Sequence, residues 1–251
     1  PLDAPPFYLR PKAPQGGGNH ALMRQVTEVR AMRTVIFDLD GTLADTADDL
    51  LAAANAVFAA CGHAAPLTRA DAATAMRGGR AMLRLGADRL GLRWDEDAVG
   101  AAYPMLLDHY AGAIAVHTRM FPGAIAAVEA LRAQGIATGI CTNKPAWLAE
   151  RLMRDLGVRD LFASLVGGDT LPVRKPDPAP LILALEGAGG AAARGLMVGD
   201  TRTDHDAARN AGIPVALVTF GAEAEGVADH GPDAILYHFD ALPETVARLL
   251  P

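Results

Sequence analysis

The sequence has few cysteines, few lysines and no long apolar run, and each shortage excludes something. Cys61 and Cys141 are the only cysteines. Cys141 ends an apolar run and reads as buried, so a disulfide framework is not expected and a reducing cytoplasm is the natural compartment. Although 51% of residues are hydrophobic, no stretch approaches the roughly 20 uninterrupted apolar residues that span a bilayer, and no membrane partner is expected. The 23 basic residues are scattered in a chain of net charge -6, which leaves no electrostatic footprint for nucleic acid. Lysine occurs only at Lys12, Lys144 and Lys175, against 20 arginines. Lysines retained against such a bias invite a functional reading.

What is present divides the 251 residues into one core and a smaller inserted part, a size too large for one ordinary domain and too small for two large ones. Residues 1–31 are rich in Pro and Gly at first and read as a flexible leader, without the ordered features of a secretory signal. Thr34 opens the run TVIF, which ends in DLDGT and describes a buried parallel strand entering a loop. From Asp45 to residue 118 the pattern is almost wholly helical, punctuated by Gly62, Pro66, Gly78, Gly79 and Gly91, and reads as a helical insert. After Phe121-Pro122-Gly123, helix and strand alternate to the C-terminus. The reading is therefore an α/β fold with a doubly wound parallel sheet, its core made of residues 32–44 and 119–251.

In such a sheet, ligands bind beyond the carboxyl ends of the strands, so the polar residues that follow each apolar run are the ones to collect. They are Asp38, Asp40, Gly41 and Thr42; then Thr142 and Asn143; then Lys175; then Asp200 and Asp204. Carboxylates meeting at one sheet edge repel one another unless a cation is present, and Mg2+ suits carboxylates shared with phosphate oxygens. Lys175 and Thr142 supply a positive charge and a hydroxyl donor for phosphoryl oxygens. Asp38 is the candidate nucleophile towards phosphorus, and Asp40 is placed to protonate the leaving oxygen and then to deprotonate water. Gly41 lets the chain turn sharply beside the substrate. In the insert, Arg77-Gly78-Gly79-Arg80 reads as a loop in which Gly79 permits close approach and Arg80 meets a substrate carboxylate. Lys144, opening a helix, reads as facing solvent and is left outside the catalytic set. Trp94 and Trp147 read as packing residues, and Asp95-Glu96-Asp97 as the first turn of a helix.

The stretch FDLDGTLADT resembles the first signature of the haloacid dehalogenase superfamily, Thr142-Asn143 its second, Lys175-Pro176 its third and GDTRTD its fourth, all in order. The resemblance implies a Rossmann-like core with residues 45–118 as an α-helical cap. It also implies Asp38 as nucleophile, Asp40 as acid and base, and Mg2+ held by Asp38, the Asp40 carbonyl and Asp200, with Asp204 in support, directly or through water. The stretch GGDTLPVRKPDPAPL is similar to bacterial phosphoglycolate phosphatases, many of which have His where this chain has Asp177. The expected partner is a small phosphorylated metabolite, 2-phosphoglycolate first, for a monomer or homodimer. Sugar phosphates, nucleotides, amino-sugar phosphates and a phosphohexomutase related to β-phosphoglucomutase are the alternatives within the fold. A non-catalytic regulatory protein that binds a phosphorylated ligand is the alternative from another class.

Overall fold

The computed structural model describes residues 31–221 and 226–250; the flexible leader expected over residues 1–31 lies almost wholly outside them. The expected doubly wound sheet is present, with six parallel strands ordered β5-β4-β1-β6-β7-β8. These are β1 (Met32–Phe37), β4 (Ala137–Cys141), β5 (Ser164–Val166), β6 (Gly190–Gly199), β7 (Val215–Val218) and β8 (Ala234–Leu236). From β1 the chain winds outwards through β4 and β5, then crosses back to β6 on the other side of β1, so the order reverses at β1. The carboxyl ends of β1, β4 and β6 therefore frame the crevice where ligands bind in open α/β sheets.

Alternate side chains of β1 feed two cores, as the two-residue period of a strand requires. Val35 and Phe37 join Val128 and Leu131 of α5 (Ala124–Ala133), Leu148 and Leu152 of α6 (Ala146–Asp155) and Val246 of α9 (Leu242–Leu249). Ile36 joins Leu181 and Leu185 of α7 (Ala179–Gly187) and Ala207 and Ala208 of α8 (Arg202–Ala211). Helices thus cover both faces of a sheet whose central strands carry no polar face.

Between the first and fourth strands stands a helical insert of α1 (Ala47–Ala60), α2 (Ala72–Met76), α3 (Gly79–Arg89) and α4 (Glu96–Gly112). Phe58 and Trp94 stack within it, ring centroids 5.3 Å apart. Asp95 caps α4 by accepting the Ala98 N–H at 2.9 Å, so the acidic run at 95–97 does begin a helix. At the exit and return of the insert, β2 (Ala44–Asp45) and β3 (Arg119–Met120) pair as an antiparallel ribbon, Ala44 opposite Met120. Buried Asp49 fastens the returning chain: its carboxylate accepts from the His117 N–H at 3.0 Å and from both the N–H and hydroxyl of Thr118 at 2.8 Å.

Several elements differ from the sequence reading. The segment LTRADAATAM is a 3-10 turn over Arg69–Asp71 followed by the short α2, because the Asp71 carboxylate turns back to accept the Thr68 N–H at 2.9 Å. Strand β6 begins well before its apolar run, since Met32 pairs with Gly190. Trp147 is not a packing residue: it is 48% exposed, outside the buried stripe of Leu148, Ala149, Leu152 and Met153 on α6. Among the described residues, no helix is long and apolar enough to cross a membrane.

Candidate active site

Asp38 follows directly on β1. Its N–H continues the ladder by donating to the Val198 carbonyl at 2.9 Å, which fixes its carboxyl at the sheet edge. One carboxylate oxygen, Oδ1, accepts the Leu39 N–H at 2.7 Å and lies 3.0 Å from Lys175 Nζ. Lys175 also donates to Asp204 Oδ1 at 2.6 Å and to the Cys141 carbonyl at 2.7 Å. Lys175 thus ties the residue after β1 to β4 and α8. Burial of the ammonium opposes its charge, but the Asp204 and Asp38 carboxylates outweigh that and hold Lys175 above the ordinary lysine range. The Lys175-Pro176 bond is cis, and the Asn143 amide donates to the Lys175 carbonyl at 3.0 Å, anchoring this loop.

Asp38, Asp200 and Asp204 bring carboxylate oxygens within 4.8 Å of one another, all three buried. Burial first, then the Asp204 charge, pushes Asp38 up to about 7, with Lys175 pulling the other way. Asp200 is pushed well above the usual carboxylate range by burial and by the charges of Asp204 and Asp38. The three carboxylates are engaged differently. Asp204 Oδ1 is taken by Lys175, while Oδ2 accepts from the Thr201 hydroxyl at 2.7 Å and from the N–H groups of Thr201 at 3.1 Å and Asp200 at 3.2 Å. Asp200 Oδ1 accepts the Thr42 hydroxyl at 2.7 Å, but Asp200 Oδ2 is buried with no hydrogen-bond partner among the described residues. A buried carboxylate oxygen left without a donor is costly. An oxygen-only donor set with one oxygen orphaned fits a hard divalent cation such as Mg2+. The close approach of two glycines, Gly41 and Gly221, leaves Asp200 Oδ2 its space.

Asp40 lies above this cluster. Both its oxygens accept from Lys144 Nζ, at 2.8 and 3.1 Å. The reading of Lys144 as solvent-facing is corrected here: the residue is buried, its ammonium 4.3 Å from the centroid of the Tyr110 ring on α4. Burial opposes its charge as well, and the Asp40 carboxylate outweighs burial and holds Lys144 above the ordinary lysine range. The signal that pointed to it was the scarcity of lysine; its burial depends on a helix far away in sequence. Burial pushes the Tyr110 phenol up to about 12, with the Lys144 charge opposing. The Tyr110 hydroxyl is buried against the Lys144 ammonium.

A cavity of about 750 Å³ opens over these residues, lined from the sheet edge by Asp38, Asp40, Thr142, Asn143, Lys144 and Lys175 and from the insert by Gly79, Arg80, Tyr103 and Tyr110. Its volume is that of a small-molecule site. Thr142 is buried at its wall and its hydroxyl accepts the Lys144 N–H at 3.2 Å. Arg80 lies over Tyr103, 4.8 Å from the ring centroid, while the backbone of Gly79 passes so close to Tyr103 and Leu106 that a side chain there would press on both. Two expected substrate contacts are placed otherwise. Thr42 is fully buried and spends its hydroxyl on Asp200, and the Gly41 N–H donates to the Ala44 carbonyl at 2.9 Å. Both shape the side of the site around Asp200, because the turn after Asp40 folds back towards β2.

The sequence and the fold are similar to those of known proteins. The family model of haloacid dehalogenase-like hydrolases matches residues 35–218. The phosphoglycolate phosphatase of Mesorhizobium japonicum is 40% identical over 220 residues, covering 86% of this chain and 95% of that protein. The phosphoglycolate phosphatase of Rhodospirillum rubrum is 40% identical over 215 residues, covering 84% and 89%. A crystal structure described as a predicted phosphoglycolate phosphatase from Haemophilus somnus superposes with a TM-score of 0.76 at 25% identity, covering 85% of this chain and 97% of its own. This chain belongs to the haloacid dehalogenase-like hydrolases, as an enzyme similar to the bacterial phosphoglycolate phosphatases.

Proposed function

We propose that the chain is a Mg2+-dependent phosphatase that hydrolyses 2-phosphoglycolate to glycolate through a phosphoryl group carried on Asp38. The observation that carries this reading is the placement of Asp38 at the cavity floor, between the Lys175 ammonium and the orphaned oxygen of Asp200, with Asp40 two residues on. The names of the relatives at 40% identity support the substrate. Residues 45–118 act as the cap that selects the substrate, and residues 32–44 with 119–251 act as the catalytic core.

Asp38, Asp200 and the Asp40 carbonyl would hold Mg2+, which supplies charge neutralisation for the phosphoryl oxygens when bound. The Asp38 oxygen not taken by Leu39 attacks phosphorus as the ester bond breaks, and Asp40 gives its proton to the departing glycolate oxygen. Asp40 then takes a proton from the water that attacks the aspartyl-phosphate, releasing phosphate and restoring Asp38. Thr142 and Lys175 donate towards the phosphoryl oxygens. Asp204 acts at one remove, since its oxygens are spent on Lys175 and on the Asp200 loop. Gly79 and Arg80 close the substrate in from the cap side. A free exposed Cys61 and a free buried Cys141 suit a reducing, cytoplasmic compartment.

The test is phosphate release with Mg2+ and with EDTA across 2-phosphoglycolate, sugar phosphates, nucleotides and an amino-sugar phosphate. The expected result is Mg2+-dependent release with the highest kcat/KM for 2-phosphoglycolate, abolished in Asp38→Asn while the fold persists by circular dichroism. Preference for another ester overturns the substrate, and activity retained by Asp38→Asn overturns the mechanism.

A further inference from the structure

Proton transfer demands a heavy-atom approach of about 2.6–3.2 Å, so an acid–base group must be aimed as well as present. A carboxyl group turns about its Cβ–Cγ bond unless something grips it. Lys144, which has no part in the mechanism above, grips Asp40 by both oxygens, at 2.8 and 3.1 Å. The Lys144 side chain is 3% exposed and that of Asp40 18%, so Asp40 is the member of the pair open to the cavity and Lys144 the enclosed one. The lysine is itself held at both ends of its backbone. Its N–H donates to the Thr142 hydroxyl at 3.2 Å, and its carbonyl accepts the Gly168 N–H at 2.9 Å. Gly168 passes so close to the Asn143 carbonyl that a side chain there would overlap it. From the insert, the Tyr110 ring covers the ammonium at 4.3 Å, and its hydroxyl, with no other partner among the described residues, is buried against it. Burying an ammonium is costly unless it is paired and hydrogen-bonded, and here the pairing is spent on one oxygen pair beside the reacting centre.

We infer that Lys144 is a positioning residue that aims the Asp40 carboxyl at the ester oxygen and then at the attacking water, and that Tyr110 completes this hold from the insert. The inference rests on the phosphatase reading above and adds to it two residues that act through Asp40. With both oxygens gripped, the plane of the carboxyl group is fixed. When one oxygen carries the proton destined for the leaving group, the other still accepts from Lys144, so the O–H keeps its direction. Once that proton has gone, the same grip leaves the carboxylate facing the water, already oriented for the second transfer. An arginine at position 144 retains a two-pronged donor for both oxygens, whereas a methionine fills the space and grips neither. Tyr110 belongs to α4 of the insert and Lys144 to the core. The acid–base group is therefore set by a contact made only with the insert seated over the sheet edge.

The experiment compares the full chain with Lys144→Met, Lys144→Arg and Tyr110→Phe in the presence of Mg2+. Two esters are used: 2-phosphoglycolate, whose alkoxide leaving group needs a proton, and p-nitrophenyl phosphate, whose phenolate leaves without one. The quantities read are kcat and KM for 2-phosphoglycolate, and the rate of p-nitrophenolate release in a single turnover with enzyme in excess, which follows attack by Asp38 alone. In Lys144→Met, kcat for 2-phosphoglycolate is expected to fall about 100-fold, the lower end of what a positioned acid–base group contributes. KM and single-turnover p-nitrophenolate release should stay within about threefold of wild type, since neither draws on Asp40. Lys144→Arg should recover about tenfold of the lost kcat, and Tyr110→Phe should lose about fivefold in kcat with p-nitrophenolate release kept. A wild-type kcat in Lys144→Met overturns the inference, as does an equal fall in kcat and in p-nitrophenolate release, which would mark a distorted site; both leave the phosphatase reading in place. A wild type without Mg2+-dependent turnover overturns that reading and the inference with it. Should Lys144→Met fail to fold by circular dichroism, Tyr110→Phe decides, since it keeps the ring over Lys144, and an unchanged kcat there overturns the inference.

Discussion

Position 41 is held to glycine by two independent constraints. Its φ of +82° lies in the left-handed region, which costs an L side chain about 1–2 kcal/mol. A methyl group there would also overlap Asp200 Oδ2, the oxygen assigned to the metal. Gly41→Ala is therefore expected to lower the melting temperature by at least about 3 °C, given roughly 2–4 °C per kcal/mol for a chain of this size. It should also raise the Mg2+ concentration needed for half-maximal phosphate release about tenfold or more, the equivalent of 1.4 kcal/mol at the metal. A variant with wild-type Mg2+ dependence would disprove the placement of the metal beside Asp200. At this scale the sequence was legible where a residue's role is local: Asp38, Asp40 and Gly41 follow an apolar run in an order that gives their placement away. It was not legible for Lys144, whose burial depends on Tyr110 from α4, nor for Thr42, whose hydroxyl turns to Asp200 across the site. Trp147 was misread because its residue type was weighed without its position on α6.

Among the elements, the ribbon of β2 and β3 and the α1 start beside it carry the insert. Two interactions compete for that role. Arg69 pairs with Asp45, both substantially exposed, and exposed pairs contribute under about 1 kcal/mol. Asp49 is buried and accepts from two N–H groups and a hydroxyl on the returning chain, and hydrogen bonds to a buried charge are worth about 1.5–3 kcal/mol each, with further loss for donors left unmet. Asp49→Ala is thus expected to destabilise by about 3 kcal/mol in urea unfolding, and Asp45→Ala by less than about 1 kcal/mol. Equal effects would show that Asp49 does not fasten the return. The long strands and helices could be read from periodicity, because TVIF and the helix stripes extend over a full period. The ribbon could not: two-residue strands have no pattern, and only the fold brings Ala44 to Met120.

For the whole molecule, burying Asp38, Asp200 and Asp204 together makes stability depend on pH and metal jointly. Asp38 is raised from 3.8 to about 7 in the folded chain without a cation. A carboxyl raised on folding binds its proton more tightly when folded, so its contribution is fully present below its unfolded value and is lost as pH rises through about 7. On the proposed reading Mg2+ would take the place of that proton and bind only the folded site, so its stabilisation would grow over the same range. The melting temperature without Mg2+ is expected to fall between pH 5.5 and 8 as far as this site governs it, and the increment on adding Mg2+ should be larger at pH 8 than at pH 5.5. A Mg2+ increment independent of pH would contradict the coupling.

The pairing of Ala44 with Met120 places the two ends of the insert side by side. A segment that leaves and re-enters at one point makes no topological demand on the sheet, whatever its own length or shape. It behaves as a cassette, exchangeable as a unit while β1, β4 and β6 keep their registers. On the proposed division of roles, bond-breaking and molecular choice are encoded in separable stretches of the gene, and a lineage can change what the enzyme acts on without rewiring how it acts.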